Sequence, residues 1–194
     1  ATVFEAVAMG IGGNNYYKNC YVDLKESCLR SETTVKVFDQ MRKLQSYTDE
    51  GSPGRDWNVA TGMVIEGKAG FQIMGDWAKG EFTAAGKTPG VDYYCSPTPS
   101  NNGYLYNVDS FIFYKTSDPD KQEGQKLLAK LMMGKNFQKV FNLYKGSIPA
   151  RLDVSMDEFD KCAKTSNADI KTAGASGGLV PSFAHGMAQG NTMK

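Results

Sequence analysis

The strongest constraint on the fold is an alternation of segments with helical hydrophobic spacing and short apolar runs. Helical spacing predicts helices over residues 1–18, 31–48, 57–66, 77–85, 119–133, 135–144 and 156–171. Short apolar runs beside turn residues predict strands over residues 69–74, 93–96 and 110–114. Helices that separate strands favour an α/β lobe over a β-sandwich, so we expect a helix-rich α/β lobe with a small sheet.

The expected ends of these elements follow from residues with known capping preferences. Gly12 and Gly13 are expected to stop the first helix, and Ser31 or Thr33 to cap the second. Pro119 occupies the first turn of a helix whose inward face is expected to carry Leu127, Leu128, Leu131 and Met132. The tail from Gly174 is rich in glycine, serine and alanine, and we expect it to be loosely ordered.

Length, charge and hydropathy narrow the class of protein. A chain of 194 residues, 41% of them hydrophobic, fits one domain with a hydrophobic core. The net charge is +1 and the basic residues are scattered, so neither a nucleic-acid partner nor an anionic membrane surface is indicated. No apolar run approaches the roughly 18 residues that a membrane span requires.

The four cysteines are Cys20, Cys28, Cys95 and Cys162. None forms a Cys-x-x-Cys pair, and the chain has one histidine, so the pattern does not indicate a zinc site. An even number of separated cysteines fits two disulfides in an oxidising compartment. It equally fits four buried thiols in a cytosolic protein, and the count alone does not choose between them.

Signals for an enzyme are weak. The Gly10–Gly13 run lacks the spacing of a phosphate-binding loop and is interpreted as a helix stop. No Gly-x-Ser-x-Gly nucleophile motif occurs. Asp56, Asp76 and Asp109 are candidates for a glycosidase carboxylate pair, but nothing in their spacing singles out two of them. We therefore expect a protein that is not an enzyme and uses no cofactor.

Polar and aromatic residues at the ends of predicted elements are more informative. Trp77 follows a predicted strand and has two interpretations, a core residue or a ring on which a sugar stacks. Asp109, with Asn107 beside it, precedes another strand and either caps a turn or accepts hydrogen bonds from hydroxyl groups. Lys145 ends a helix, where it either complements the helix dipole or donates to sugar oxygens. His185 is either a surface-loop residue or a ring and donor in a pocket.

Taken in order, these motifs resemble a known family. The runs are Gly67–Trp77, Asn107–Phe111 and Lys145–Arg151, and they are strengthened by Ser52–Asn58 and Ala184–Met187. This pattern resembles the solute-binding proteins of carbohydrate ABC importers, in particular the periplasmic glucose- or mannose-binding type of Gram-negative bacteria. The resemblance covers nearly the whole chain.

The resemblance implies a function and an architecture. In that family two α/β lobes of the type II periplasmic-binding-protein fold close on one sugar. A membrane permease then recognises the closed conformation. Residues 1–194 correspond to the C-terminal lobe, so a partner N-terminal lobe is expected before Ala1 and a closing helix after residue 194. The implied role is periplasmic capture of an aldohexose such as glucose for uptake.

The family roles carry over residue by residue. Trp77 would stack on the sugar or form one wall of its site. Asp109, with Asn107, would bind hydroxyl groups. Lys145 would donate to sugar oxygens, and His185 would pack on the ring and donate a hydrogen bond. These five residues form the predicted ligand site.

The resemblance also bears on the cysteines. Cys95 and Cys162 match positions that carry cysteines in close relatives, whereas Cys20 and Cys28 depart from the pattern. We predict disulfides Cys95–Cys162 and Cys20–Cys28. Two rival functions remain, a carbohydrate-active hydrolase domain and an interaction module that uses the lobe as a scaffold.

Overall fold

The computed structural model describes residues 1–100 and 103–186, in which helices predominate over strands. The helices are α1 (Thr2–Tyr17), α2 (Glu26–Leu29), α3 (Glu32–Gln45), α4 (Trp57–Ile65), α5 (Lys79–Ala84), α6 (Pro119–Met132), α7 (Lys135–Lys145), α8 (Lys161–Ala175) and α9 (Phe183–Gly186). A π-helical turn, Lys18–Val22, follows α1, and a 3₁₀ turn, Asp76–Ala78, precedes α5. The strands are β1 (Tyr104–Tyr106) and β2 (Leu179–Pro181). The predicted helix-rich α/β class with a small sheet is confirmed.

The main core forms where α1 and the turn after it meet α3 and β2. Its buried members are Val7, Ala8, Met9, Tyr16, Tyr17, Cys20, Tyr21, Val37 and Val180. Gly13 interrupts α1 with φ 72° and ψ −177°, a conformation that glycine adopts readily. The predicted stop at Gly12–Gly13 is therefore confirmed, and a second helical segment follows the kink as far as Tyr17. Gly13 allows the chain to bend at this point. Beyond the bend, Tyr16 and Tyr17 pack into the core.

The sheet consists of two parallel strands, with Tyr104 opposite Leu179, Leu105 opposite Val180 and Tyr106 opposite Pro181. The strands predicted over 69–74, 93–96 and 110–114 are wrong, since these segments belong to neither strand. A strand requires a neighbour that supplies its hydrogen bonds, and a short apolar run does not reveal whether that neighbour exists.

Helix boundaries agree with the predictions wherever a capping residue was recognised. The Ser31 side chain accepts the Thr34 N–H at the start of α3, as predicted. Helix α8 begins at Lys161 rather than at residue 156, because the Asp160 side chain caps it by accepting the Ala163 N–H at 2.8 Å.

The tail from Gly174 was predicted to be loosely ordered, and this is wrong for its first part. Leu179–Pro181 forms β2, in which Val180 is fully buried in the core. The pairing with β1 supplies order that composition alone does not reveal. Residues 187–194 of this tail lie outside the described residues, as does Met187 of the Ala184–Met187 motif.

Both predicted disulfides are present. Cys20–Cys28 ties the π-helical turn to α2, and Cys95–Cys162 joins residues 67 positions apart. Near the second disulfide, Phe82 of α5 stacks on Tyr93 with ring centroids 4.1 Å apart. Burial raises the pKa of Tyr93 to about 12.

An ion pair made by the buried Lys79 fixes α5 to α8. The Lys79 side chain is 7% exposed, and its Nζ lies 2.7 Å from Oδ2 of Asp160, the residue that caps α8. Because a buried ammonium group is stable only with a counter-charge, this contact sets the position of α5 against α8. The 3₁₀ turn Asp76–Ala78, which directly precedes α5, is thereby fixed in position as well.

The face of α6 that was predicted to point inward is exposed. Leu127, Leu128 and Leu131 are 59%, 44% and 61% exposed, so this prediction was wrong for the three leucines. Helix α6 does carry an apolar face, as its hydrophobic spacing predicted. In the part of the chain that the structure describes, this face is not packed against other residues. Among the helices of residues 1–100 and 103–186, none has the length and apolar content of a membrane span.

Candidate functional site

The candidate site lies at the edge of the sheet where both strands end. Since β1 and β2 are parallel, the residues that follow each strand leave the sheet at the same edge. The Ser182 N–H donates to the Tyr106 carbonyl at 2.9 Å, which extends the pairing by one step. The segments 107–109 and 182–185 are therefore neighbours.

Two of the predicted site residues contribute to this junction. Asn107 Oδ1 accepts a hydrogen bond from the Ser182 hydroxyl at 3.1 Å, and His185 Nε2 accepts the Val108 N–H at 2.8 Å. Because Nε2 is an acceptor, the neutral imidazole carries its proton on Nδ1, and Nδ1 is the nitrogen that remains to donate to a ligand. Both Asn107 and His185 are exposed.

Asp109 and Lys145 form a salt bridge between Oδ2 and Nζ at this junction. The Asp109 side chain is 65% exposed and that of Lys145 27%, so the pair is accessible from solvent. Lys145 is the last residue of α7, and its Nζ also lies 5.7 Å from the centre of the Phe141 ring. This pair places one acceptor and one donor of opposite charge side by side.

Trp77 lies in the 3₁₀ turn before α5 and is half-buried. A Cβ atom at Gly75 would overlap its indole ring, so the ring lies directly over the backbone of Gly75. The Trp77 turn is connected to the Asp109–Lys145 pair because Gly80 of α5 packs on the end of α7. A Cβ at Gly80 would lie 2.9 Å from the Lys145 carbonyl oxygen.

Asp76, next to Trp77, was predicted only as one member of a possible carboxylate pair, and its position is more specific. It lies against the turn after α7, where the Asp76 carbonyl oxygen is 3.1 Å from the place that a Cβ on Gly146 would occupy. Burial raises the pKa of Asp76, and the neighbouring Lys79, Ser147, Ile148 and Lys145 partly offset this rise. The turn belongs to the run Lys145–Arg151 that carries the family resemblance, but nothing in that run indicated a contact with Asp76.

The structure thus brings together Asn107, Asp109, Lys145 and His185, with the Trp77 turn attached through Gly80. That these residues bind a sugar stays a prediction. The third carboxylate considered, Asp56, lies immediately before α4. No cluster of metal-ligating side chains occurs within residues 1–100 and 103–186.

Helix α9, which carries His185, is anchored to the core by a buried carboxyl group. Glu5 of α1 is 7% exposed, and its Oε1 accepts the Phe183 N–H at 3.3 Å. Phe183 also stacks on the buried Tyr17, with ring centroids 5.8 Å apart. Burial raises the pKa of Glu5 above its ordinary value of 4.5, against the opposing effect of the Phe183 hydrogen bond.

We expect Glu5 to make the protein less stable as the pH rises. The pKa of Glu5 is higher in the folded chain than in the unfolded chain, so folding takes up a proton between the two values. The free energy of unfolding therefore falls as the pH rises from 4.5 through the raised pKa. In Glu5→Gln, which keeps the acceptor for Phe183, this component of the fall should be absent. Urea unfolding at several pH values measures it, and Glu50→Gln, at an exposed position, is the control.

Comparison with known proteins agrees with this architecture. Residues 4–172 match the family of bacterial extracellular solute-binding proteins. A probable sugar-binding periplasmic protein of Brucella suis is 46% identical over the whole chain, which covers 46% of that protein. An uncharacterized ABC transporter extracellular-binding protein of Pyrococcus horikoshii is 32% identical over 96% of this chain and 41% of its own length.

A more distant relative is the xylose/arabinose-binding protein of Haloferax volcanii, 28% identical over 79% of this chain and 33% of its own length. The chain spans about half the length of the Brucella relative. The family match extends from α1 to α8 and includes β1, Trp77, Asn107, Asp109 and Lys145. This chain belongs to the bacterial extracellular solute-binding proteins.

Proposed function

We propose that residues 1–194 are the C-terminal sugar-binding lobe of the substrate-binding component of a carbohydrate ABC importer. The protein captures an aldohexose such as glucose in the periplasm and delivers it to the membrane permease. The observation that carries this proposal is the exposed Asp109–Lys145 pair beside Asn107 and His185 at the common end of both strands. The Brucella relative, named a probable sugar-binding periplasmic protein, supports it.

The chemistry of the site suits a sugar. A hexose presents hydroxyl groups around its rim and apolar C–H bonds on its faces, so it needs donors, acceptors and an apolar wall in one small volume. Asp109 supplies a charged acceptor, and Lys145 and the Nδ1 of His185 supply donors. The Trp77 indole supplies a rigid apolar face.

This chemistry binds hydroxyl groups and breaks no bond, which distinguishes it from a hydrolase domain. Isothermal titration calorimetry with a panel of hexoses and pentoses tests the proposal, and pentoses belong in it because the Haloferax relative is named for xylose and arabinose. Saturable heat with one or more sugars, tightest for an aldohexose, is expected. Release of reducing sugar from aryl glycosides would favour the hydrolase. Unchanged fluorescence of Trp57 and Trp77 across the panel would favour an interaction module.

We further propose that a second, N-terminal lobe packs against this one. The relatives are about twice as long as the part that matches, which leaves room for another lobe. The surface that would receive it, here called the apolar face, consists of α6, α7 and the run 111–114. Between the two helices it forms a groove of about 550 Å³ lined by Leu127, Lys130, Leu131, Gly134, Asn136, Phe137 and Val140.

The run 111–114 of the apolar face is attached to α6. The Gln125 side chain donates to the Tyr114 carbonyl at 2.8 Å, which fixes the run 111–114 against α6. In that run Ile112 is 77% and Tyr114 80% exposed. Contiguous apolar surface of this kind is uncommon on monomers and marks an interface.

We expect the chain on its own to self-associate through the apolar face. Sedimentation velocity at increasing concentration should show a shift from monomer to larger species, because association buries apolar surface. The double variant Leu127→Lys/Leu131→Lys should shift the distribution back to monomer. Tyr47→Lys, a change at another exposed apolar residue, is the control and should not. A strictly monomeric profile at high concentration would contradict the expectation.

A further inference from the structure

Ser182 is the first residue beyond β2, and its N–H, its carbonyl and its hydroxyl all take part in hydrogen bonds. The N–H donates to the Tyr106 carbonyl at 2.9 Å, and the carbonyl accepts the His185 N–H at 2.9 Å. The hydroxyl donates to Asn107 Oδ1 at 3.1 Å. Since Ser182 is only 8% exposed, it connects the end of β1 with α9 from a buried position.

The bond from the hydroxyl fixes the side chain of Asn107. Asn107 is exposed, and an exposed amide side chain ordinarily moves between several rotamers. Because Oδ1 accepts the hydrogen bond from Ser182, the orientation of the amide is set, and its Nδ2 amino group is the part that remains to donate to a ligand. A buried side chain thus orients an exposed one at the candidate site.

The backbone on both sides of Ser182 is anchored in the core. Val180, two residues earlier, is fully buried. Phe183, the next residue, donates its N–H to Glu5 Oε1 at 3.3 Å and stacks on Tyr17 with ring centroids 5.8 Å apart. The Ser182 hydroxyl therefore has a constant position, and a side chain with such support holds its hydrogen-bond partner in one place.

We propose that Ser182 is a positioning residue for Asn107, whose amide its hydroxyl holds in the orientation that binds the sugar. This role in ligand binding rests on the proposed function. An amide that is already oriented loses less conformational entropy on binding, so the hydroxyl raises the affinity without touching the ligand. The backbone of residues 107–109 is held separately, because His185 Nε2 accepts the Val108 N–H at 2.8 Å.

The test on this chain is the mobility of asparagine side-chain amides, measured by ¹⁵N NMR relaxation without sugar. The Asn107 signal is assigned by its loss in Asn107→Ala. In the wild type this amide should be as rigid as that of Asn142, which is buried and donates to the Gln138 carbonyl at 2.7 Å. In Ser182→Ala it should become as mobile as the amide of Asn58, which is exposed on α4. Ser182→Thr, which keeps the hydroxyl, should keep the amide rigid.

Two controls separate positioning from general damage. The bond from the Val108 N–H to His185 Nε2 involves no side-chain atom of Ser182, so the nitrogen–nitrogen coupling across it should persist in Ser182→Ala. Ser166→Ala, which removes another hydroxyl bonded at 2.7 Å to a residue of β1, should leave the Asn107 amide rigid. A rigid Asn107 amide in Ser182→Ala, a mobile one in the wild type, or loss of the coupling in Ser182→Ala would overturn the proposal.

A second measurement connects the residue to the ligand. In the two-lobe protein, Ser182→Ala should weaken sugar binding by about threefold to tenfold, because the mobile amide must then be ordered on binding. In an Asn107→Ala background the same change should have no further effect, because Ser182 acts through Asn107. Equal losses in both backgrounds would contradict the proposal. If the wild type binds no sugar, the proposed function fails, while the amide mobility still decides the role of Ser182.

Discussion

Replacing Asp109 with alanine is expected to weaken sugar binding by tenfold or more in the two-lobe protein. A carboxylate can accept hydrogen bonds from two hydroxyl groups, and bonds to a charged group contribute about 1.5–3 kcal/mol each. Because about 1.4 kcal/mol corresponds to a factor of ten in affinity, the loss of even one such bond reaches that factor. Calorimetric titration of wild type and variant measures the change.

The fold should survive the Asp109 change. Its side chain is 65% exposed and contributes to no core cluster, so the variant should unfold at nearly the wild-type temperature. Asp39→Ala, which removes another exposed, paired carboxylate, is the matched control and should bind sugar as the wild type does. Wild-type affinity in Asp109→Ala would end the assignment of this residue to the site.

Removing the Cys95–Cys162 disulfide is expected to lower the free energy of unfolding by about 4 kcal/mol, chiefly because the unfolded chain regains the freedom of a long loop. The bridge joins residues 67 positions apart, whereas Cys20–Cys28 joins residues 8 apart. Since Cys95 is exposed and Cys162 partly so, Cys95→Ala/Cys162→Ala should lose little packing. A loss of this size is a large share of the stability of a typical domain, about 5–15 kcal/mol.

Urea unfolding under non-reducing conditions measures this loss. Adding a reductant should destabilise the wild type at least as much as the double substitution does, and should affect the double variant only through Cys20–Cys28. Four free thiols in the denatured, unreduced protein, or a loss below about 1 kcal/mol, would contradict the expectation.

The sequence predicted the helices well because their signals are local. Ser31 caps α3, and Gly146 and Pro119 lie at the ends of α7 and α6, where nearest-neighbour chemistry determines the conformation. Strands failed for the opposite reason, since β1 pairs with β2 across more than seventy residues. Tyr104–Tyr106, which forms β1, follows a segment rich in proline and asparagine, and nothing local shows that Leu179–Pro181 will pair with it.

The site residues were predicted from their types and from the resemblance to a family, not from packing or from the energetics of the fold. Asp109, Lys145 and His185 each had an ordinary explanation, and only the fold brings them to one edge of the sheet. Asp76 shows the limit most clearly. It lies against the turn after α7, about seventy residues further along the chain, and the close packing of Gly80 and Gly146 that brings the two together exists only in three dimensions.

The most direct test of the central claim is a backbone and indole NMR titration of this chain with glucose and related monosaccharides in large excess. Under the proposed function this chain carries only part of a sugar site, and NMR detects binding even at millimolar affinity. We predict that the Trp77 indole signal and the amides of residues 107–109, 145 and 185 move together with one binding curve, while the Trp57 indole stays fixed. If no monosaccharide moves these signals, or if the shifts fall on other faces of the lobe, these residues are not a sugar site.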